Sequence, residues 1–269
     1  MKSAVINFIK SIIIGASALI PGVSGGTMAI ALGMYDRLLR AVSHFNENIK
    51  ENTAFLAVFV LGGTTGVLAL SRGVLWLFQN FRLPSIYFFI GCVTGSIPML
   101  FRRSGIVCVK ISDIAFVLLG YLCVTWISCI PTGSCLISGY YFLKFIMLAA
   151  AGAVIAIAFI LPGISTSYML LLLGIYDTAL SSLRSGNVAF LAPIFLGALI
   201  GTLMTARILE NALEYHKKHT YMLIIGFVLG SVFEIIPALP TGINIAVCVF
   251  TFSLGFIFIK LILRYTEDF

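Results

Sequence analysis

Residues 21–36 read PGVSGGTMAIALGMYD, and residues 162–177 read PGISTSYMLLLLGIYD. The strings lie 141 positions apart (162 less 21), and eight positions match across that offset: Pro21/Pro162, Gly22/Gly163, Ser24/Ser165, Met28/Met169, Leu32/Leu173, Gly33/Gly174, Tyr35/Tyr176 and Asp36/Asp177. Each string sets a helix breaker, a hydroxyl and small residues in the middle of apolar sequence. In a membrane, backbone freed in this way must be satisfied inside the protein or line a site. The pattern, present twice, reads as a transporter built by duplication.

The surrounding chain has 269 residues, 60% of them hydrophobic and 10% charged, with a mean hydropathy of +1.10. A soluble domain of that size cannot hide so much apolar surface, so lipid is the solvent for most of it. The net charge of +7 is spread between apolar runs and forms no aromatic-interleaved patch. That argues against a nucleic-acid partner and reads as membrane orientation. The six cysteines show no C-x-x-C and no His/Cys metal spacing, and neither a metal nor another cofactor is expected. Lys2 and Lys10 followed by Ala16-Ser17-Ala18 imitate a signal peptide. The same Ala-rich approach to Pro-Gly recurs at 156–163, so the segment reads as part of the fold.

Apolar runs fall at 4–34, 53–78, 85–101, 113–130, 140–175, 188–209, 221–237 and 242–263. The first and fifth are interrupted at Pro21-Gly22 and Pro162-Gly163. The piece after the first break, 23–34, makes about 18 Å of helix, too short for a hydrocarbon core of about 30 Å. Each broken run is therefore either one kinked span or a re-entrant hairpin. Positive-inside counting favours hairpins. With six plain spans alternating between them, one side receives Lys2, Lys10, Arg37, Arg40, Lys50, Arg102, Arg103, Lys110, Lys217, Lys218, Lys260 and Arg264; the other receives Arg82, Lys144 and Arg184. Both termini are then cytoplasmic. The expected fold is all-α: a polytopic membrane protein with an inverted-topology repeat and two re-entrant helical hairpins. Repeat one covers 1–135 (hairpin 4–34, spans 53–78, 85–101 and 113–130), and repeat two covers 136–269 (hairpin 140–175, spans 188–209, 221–237 and 242–263). Three spans between the hairpins invert the second copy, so the two Pro-Gly tips should meet near mid-membrane. Gly62, Gly66, Gly91 and Gly95 recur 135 positions on as Gly197, Gly201, Gly226 and Gly230 and read as helix-packing residues.

The tips carry the chemistry. Pro21 ends one half-helix, Ser24 is placed to cap the next, and Gly25, Gly26 and Thr27 expose backbone N–H groups to an anion. The second tip offers Ser165, Thr166 and Ser167 beside Pro162 and Gly163. The bland alternative is a pair of structural kinks whose polar atoms bind each other. Arg72 and Arg207 hold equivalent positions and suit a phosphate through paired hydrogen bonds, against a reading as arginines that snorkel to headgroups. Glu234 is the only acid well inside an apolar run, and is either a proton-coupling site or a structural hydrogen bond near Pro237. Asp36 and Asp177 read as boundary residues pairing with Arg37 or Arg184, with coupling left open. Gly22-Val23-Ser24-Gly25 also spells the G-x-S-G string of intramembrane serine proteases. His44, His216 and His219 all fall in expected cytoplasmic loops, which leaves that serine without a base.

PGVSGGTMAIALGMYD with its degenerate copy resembles a bacterial membrane family of polyprenyl-phosphate (undecaprenyl-phosphate) translocases, and the similarity covers essentially the whole chain. The second copy departs from the family at Thr166, where glycine is usual. The resemblance implies a transporter, not an enzyme, in the bacterial inner membrane. It flips the carrier lipid between leaflets so that the lipid can again serve cell-wall synthesis. Pro21, Gly22, Ser24, Gly25, Gly26, Thr27, Pro162, Gly163, Ser165 and Ser167 are the matching tip residues. The partners it implies are a polyprenyl-phosphate lipid and the bilayer. The residues themselves leave a soluble-anion transporter open as the alternative, with the protease third.

Overall fold

The computed structural model describes residues 2–17, 24–106, 108–130, 141–164, 166–236 and 243–267. These hold twelve helices and no strand: α1 (Lys2–Ser17), α2 (Gly25–Ala31), α3 (Tyr35–Ser43), α4 (Ile49–Asn80), α5 (Arg82–Ser104), α6 (Ile111–Ser128), α7 (Tyr141–Ile160), α8 (Thr166–Leu172), α9 (Tyr176–Ser185), α10 (Val188–Tyr215), α11 (Lys217–Ile235) and α12 (Ile243–Glu267). Seven of them, α4, α5, α6, α7, α10, α11 and α12, are long and apolar enough to cross a membrane. The chain is an all-α polytopic membrane protein.

The six plain spans fall where hydropathy places them, but most of the helices run past the apolar edges. Charged and polar helix formers such as Lys50, Glu51, Glu210 and Lys217 extend α4, α10 and α11. The edge of an apolar run marks where lipid ends, not where the helix ends. The run 140–175 divides into α7, α8 and the turn between them. The apolar part of α7, Leu143–Ile160, is about 27 Å long at 1.5 Å per residue, as long as a plain span. The second break thus follows a nearly full-length helix, whereas α1 is shorter.

Four helix pairs make the frame: α1 with α4, α7 with α10, α5 with α12, and α6 with α11. Glycine sets their separation. A Cβ on Gly66 would lie 2.1 Å from the Ile12 carbonyl oxygen, one on Gly197 1.8 Å from that of Ala149, and one on Gly226 2.2 Å from that of Val117. These are backbone contacts and cannot swing aside, so the glycines build the frame, as read from sequence. Gly197→Leu is expected to push α10 off α7 and abolish the monodisperse detergent-solubilised species in size-exclusion chromatography. Gly73→Leu, on a helix face with nothing within 4 Å, should leave it intact.

α5 and α11 are the central spans and α2 is the most enclosed element. Met28, Ala29, Ile30, Ala31 and Leu32 are all at most 2% exposed and pack with Ile90, Met222, Ile224, Ile225 and Val228. α2 and α8 end alike. Gly33 (φ 68°) and Gly174 (φ 71°) both adopt the left-handed conformation. Met34 N–H donates to the Ala29 carbonyl and Ile175 N–H to that of Leu170, which closes both helices in a Schellman turn.

Candidate functional site

The start of α2 meets the turn after α7. The backbone N–H of Gly163 donates to Thr27 Oγ1 at 2.9 Å, and both residues are buried. A Cβ on Gly26 would lie 3.4–3.5 Å from the carbonyl oxygens of Phe159 and Ile160 and from Pro162 Cα. Tyr35, at the start of α3, donates its hydroxyl to the Ile160 carbonyl at 2.8 Å. The first copy therefore grips the last turn of α7 and the turn after it from two directions.

The tip residues differ from expectation in detail. Ser24 sits at the N-cap of α2 with extended backbone, and its carbonyl accepts from Met28 N–H. Its hydroxyl makes no capping bond, so the cap is a position without its hydrogen bond. The N–H groups of Gly25, Gly26 and Thr27 find no acceptor among the described residues. Thr27 spends its hydroxyl oxygen on the other tip. Pro162 is fully buried, and Thr166 opens α8 half-buried. Pro21, Gly22 and Ser165 and the side chain of Ser167 lie outside the described residues.

Beside the tips lies an apolar cavity of about 330 Å³. Gly25, Gly26 and Ala29 of α2 form part of its wall; Leu38, Leu39 and Val42 of α3, Leu56, Phe59 and Val60 of α4, and Phe159 and Ile160 of α7 form most of the rest. Thr202 and Ala206 close it from α10. At its rim, Val60 is 59% and Phe159 52% exposed on membrane-length helices, so it opens sideways toward lipid. Sequence reading missed this cavity, because its walls come from six helices spread over 190 residues. Gly15 of α1 and Gly63 of α4 also line it.

A second cavity, of about 590 Å³, lies near the end where α3 meets α10 and α11. It is lined by charged groups, among them Asp36, Arg40, His44, Glu47, Glu210 and Lys217. Asp36 pairs here with Arg103 of α5 and accepts from the Tyr221 hydroxyl at 3.1 Å. The expected partner Arg37 instead holds Glu51 at 2.7 Å and Asn52 at 3.2 Å. The correction is one of direction: Arg37 follows Asp36 on α3 but faces α4, while Asp36 faces α5 and α11. Asp177 is exposed, and the side chain of its expected partner Arg184 lies outside the described residues.

Arg207 donates its Nε to the Ser43 carbonyl at 3.4 Å, and Arg72 is exposed on α4 with no hydrogen bond or ion pair among the described residues. Among the described residues no bond joins either arginine to the tips. Glu234 is exposed on α11, beside Ser128 and Tyr168, whose hydroxyl reaches the carbonyls at the end of α6. The acid that is fully buried is Asp113, at the edge of its apolar run, paired with Lys218 at 2.7 Å. Among the described residues no cluster of His, Cys, Asp and Glu is arranged to hold a metal.

Comparison with known proteins finds relatives that match most of the chain. The chain is 33% identical to a polyprenyl-phosphate transporter of Staphylococcus aureus, over 94% of this chain and 93% of the relative. It is 28% identical to a polyprenyl-phosphate transporter of Vibrio cholerae, over 86% of this chain and 77% of the relative. No solved structure matches. Residues 14–244 match the VCA0040-like family, described as undecaprenyl phosphate translocase-like, which is a family of transporters and not of enzymes. With that match and a relative one-third identical across nearly its full length, this chain belongs to the undecaprenyl phosphate translocase-like family.

Proposed function

We propose that the protein carries a polyprenyl phosphate between leaflets by alternating access, returning carrier lipid for envelope synthesis in the bacterial inner membrane. The phosphate passes the meeting point of the two tips. There the N–H groups of Gly25, Gly26 and Thr27 and the hydroxyls of Ser24, Ser165, Thr166 and Ser167 replace water. Arg72 and Arg207 hand it in and out from the two sides. Asp36 is the acid best placed to couple the cycle to a proton, since protonation would release Arg103 and Tyr221; Asp177 is its counterpart, and Glu234 lies away from this network.

The proposed architecture is two inverted repeats, 1–135 and 136–269, each opened by a re-entrant hairpin. Three contacts support it. Ser43 reaches Glu210, Asp113 pairs with Lys218, and Asp36 bonds Tyr221. Hairpins put all six residues on one side, the cytoplasmic side by charge, with both termini. Kinked spans would put the members of each pair on opposite sides.

The apolar cavity carries the choice of cargo. A soluble anion has no use for a lipid-facing pocket of leucine, valine and phenylalanine against the tips. A prenyl chain gains from every buried methylene, and its remaining length trails in the bilayer. The volume is near the lower end of ligand pockets, about 300–1,000 Å³, enough for part of a long chain. Gly63 tests this, because a Cβ there meets only the Ser11 carbonyl oxygen at 3.9 Å. Gly63→Phe is expected to fill the cavity and slow translocation of labelled undecaprenyl phosphate in proteoliposomes about tenfold or more, with the fold unchanged. Undiminished translocation, or equal loss with a short-chain, water-soluble phosphate, would remove the tail from the argument.

A further inference from the structure

The two ends of the molecule are fastened differently. At one end α3 lies on α10, and Arg207 and Glu210, one turn apart on α10, both hold it. Glu210 takes the Ser43 hydroxyl and His44 Nδ1, the latter at 2.7 Å, with Arg40 Nε at 3.7 Å, while Arg207 reaches the Ser43 carbonyl at 3.4 Å. The matching elements of the other copy are α9 and α4. Among the described residues they make no packed contact as extensive as the one that joins α3 to α10. Arg72 stands 135 positions before Arg207 and is exposed without a partner among the described residues. Asp177, the match of Asp36, is exposed, and the side chain of its neighbour Arg184 lies outside the described residues.

We propose that Arg207 and Glu210 are the latch of a gate at the α3 end, and that Arg72 is the counterpart, docking on the C-terminal carbonyls of α9 when the α3 end opens. These are positioning residues for the transport cycle, and the inference rests on the alternating-access reading above. A helix C-terminus carries partial negative charge and free carbonyls, which a guanidinium satisfies. Arg207 is occupied by its short helix, and Arg72, with no partner among the described residues, is the one to meet a phosphate arriving from its leaflet. Docking and phosphate binding thus compete for the same guanidinium. While phosphate sits on Arg72, α9 stays away; once it moves on to the tips, Arg72 closes the end behind it.

The sequence sets the balance between the two latches. Leu75 stands where α10 has Glu210, and Arg184 stands where α3 has Ser43. The acid and the hydroxyl of the α10 latch are thus not repeated in the sequence of the other copy. In the structure α3 is held on α10 by these contacts.

Paired spin labels test this in the empty, full-length protein in nanodiscs, in a cysteine-free background shown to transport. One pair, at Glu47→Cys and Glu214→Cys, spans the α3 end; the other, at Gly73→Cys and Ser185→Cys, spans the α9 end. Glu210→Gln and Arg207→Ala are each expected to raise the separated population at the α3 end about fivefold or more and to bring the α9 pair closer. Arg72→Ala added to Glu210→Gln should prevent that approach. Arg37→Ala, which breaks the neighbouring Arg37–Glu51 pair, should move neither distance. Distributions unchanged by Glu210→Gln and Arg207→Ala would overturn the α10 latch, and an α9 approach that survives Arg72→Ala would overturn the counterpart. A wild type that translocates undecaprenyl phosphate yet shows one distance at each end, with and without that lipid, would overturn alternating access itself.

Discussion

Gly163→Ala is expected to lower stability by about 3 kcal/mol and to abolish translocation. Two independent features converge on this residue. Its φ is +88°, a conformation that costs a side-chain-bearing residue strain. A Cβ would also lie 2.4 Å from the Phe227 carbonyl oxygen and 2.8 Å from its carbonyl carbon, atoms of a central span that cannot yield. Either the turn or α11 must shift, and the bond from Gly163 N–H to Thr27 then breaks. Thr27→Val removes only that acceptor at nearly constant shape, so its cost should be smaller, about 1–3 kcal/mol for a buried donor left unpaired. The double variant should cost less than the sum, because both single changes lose the same bond. Chemical or thermal unfolding of the purified protein, followed by the proteoliposome assay, reads all three. Wild-type stability in Gly163→Ala would mean that the tips do not meet in this way.

Lys218→Met should lower the thermal midpoint by about 5–10 °C. Its partner Asp113 is wholly buried between α6 and α11. One carboxylate oxygen takes the Lys218 ammonium at 2.7 Å and the Lys110 backbone N–H at 2.8 Å, and the other has no partner among the described residues. Removing the lysine leaves that charge uncompensated in the protein interior. Asp113→Leu with Lys218→Met should recover most of the loss, since a buried pair replaced by apolar groups is often neutral. Arg37→Ala, whose partner Glu51 is 72% exposed, should move the midpoint by about 1 °C or less. A midpoint for Lys218→Met equal to that of Arg37→Ala would show that the pair stabilises nothing.

The repeated Pro-Gly strings made much of this legible. They located the turn after α7 and the start of α2, and they contain the two residues that bond there, Thr27 and Gly163. Spans and packing glycines were equally plain, because apolar run length and small-residue spacing are local properties. What stayed hidden was azimuth and long-range pairing. Glu234 stood out by its depth in an apolar run, yet it lies on an exposed face of α11. Asp113 stood at the margin of its run and is buried. Depth along a helix is written in the sequence, while the face a residue presents depends on which neighbours are there. Asp36 finds Arg103 and Tyr221 from 67 and 185 positions away, and Ser43 finds Glu210 from 167. No local spacing encodes such partners.

The side opening between Val60 and Phe159 has a pharmacological consequence. A compound that plugs it arrives through the bilayer, so its concentration at the target is set by partitioning and not by the dose in water. Apparent potency should then weaken as lipid is added at fixed protein, and rank with oil–water distribution among otherwise similar blockers.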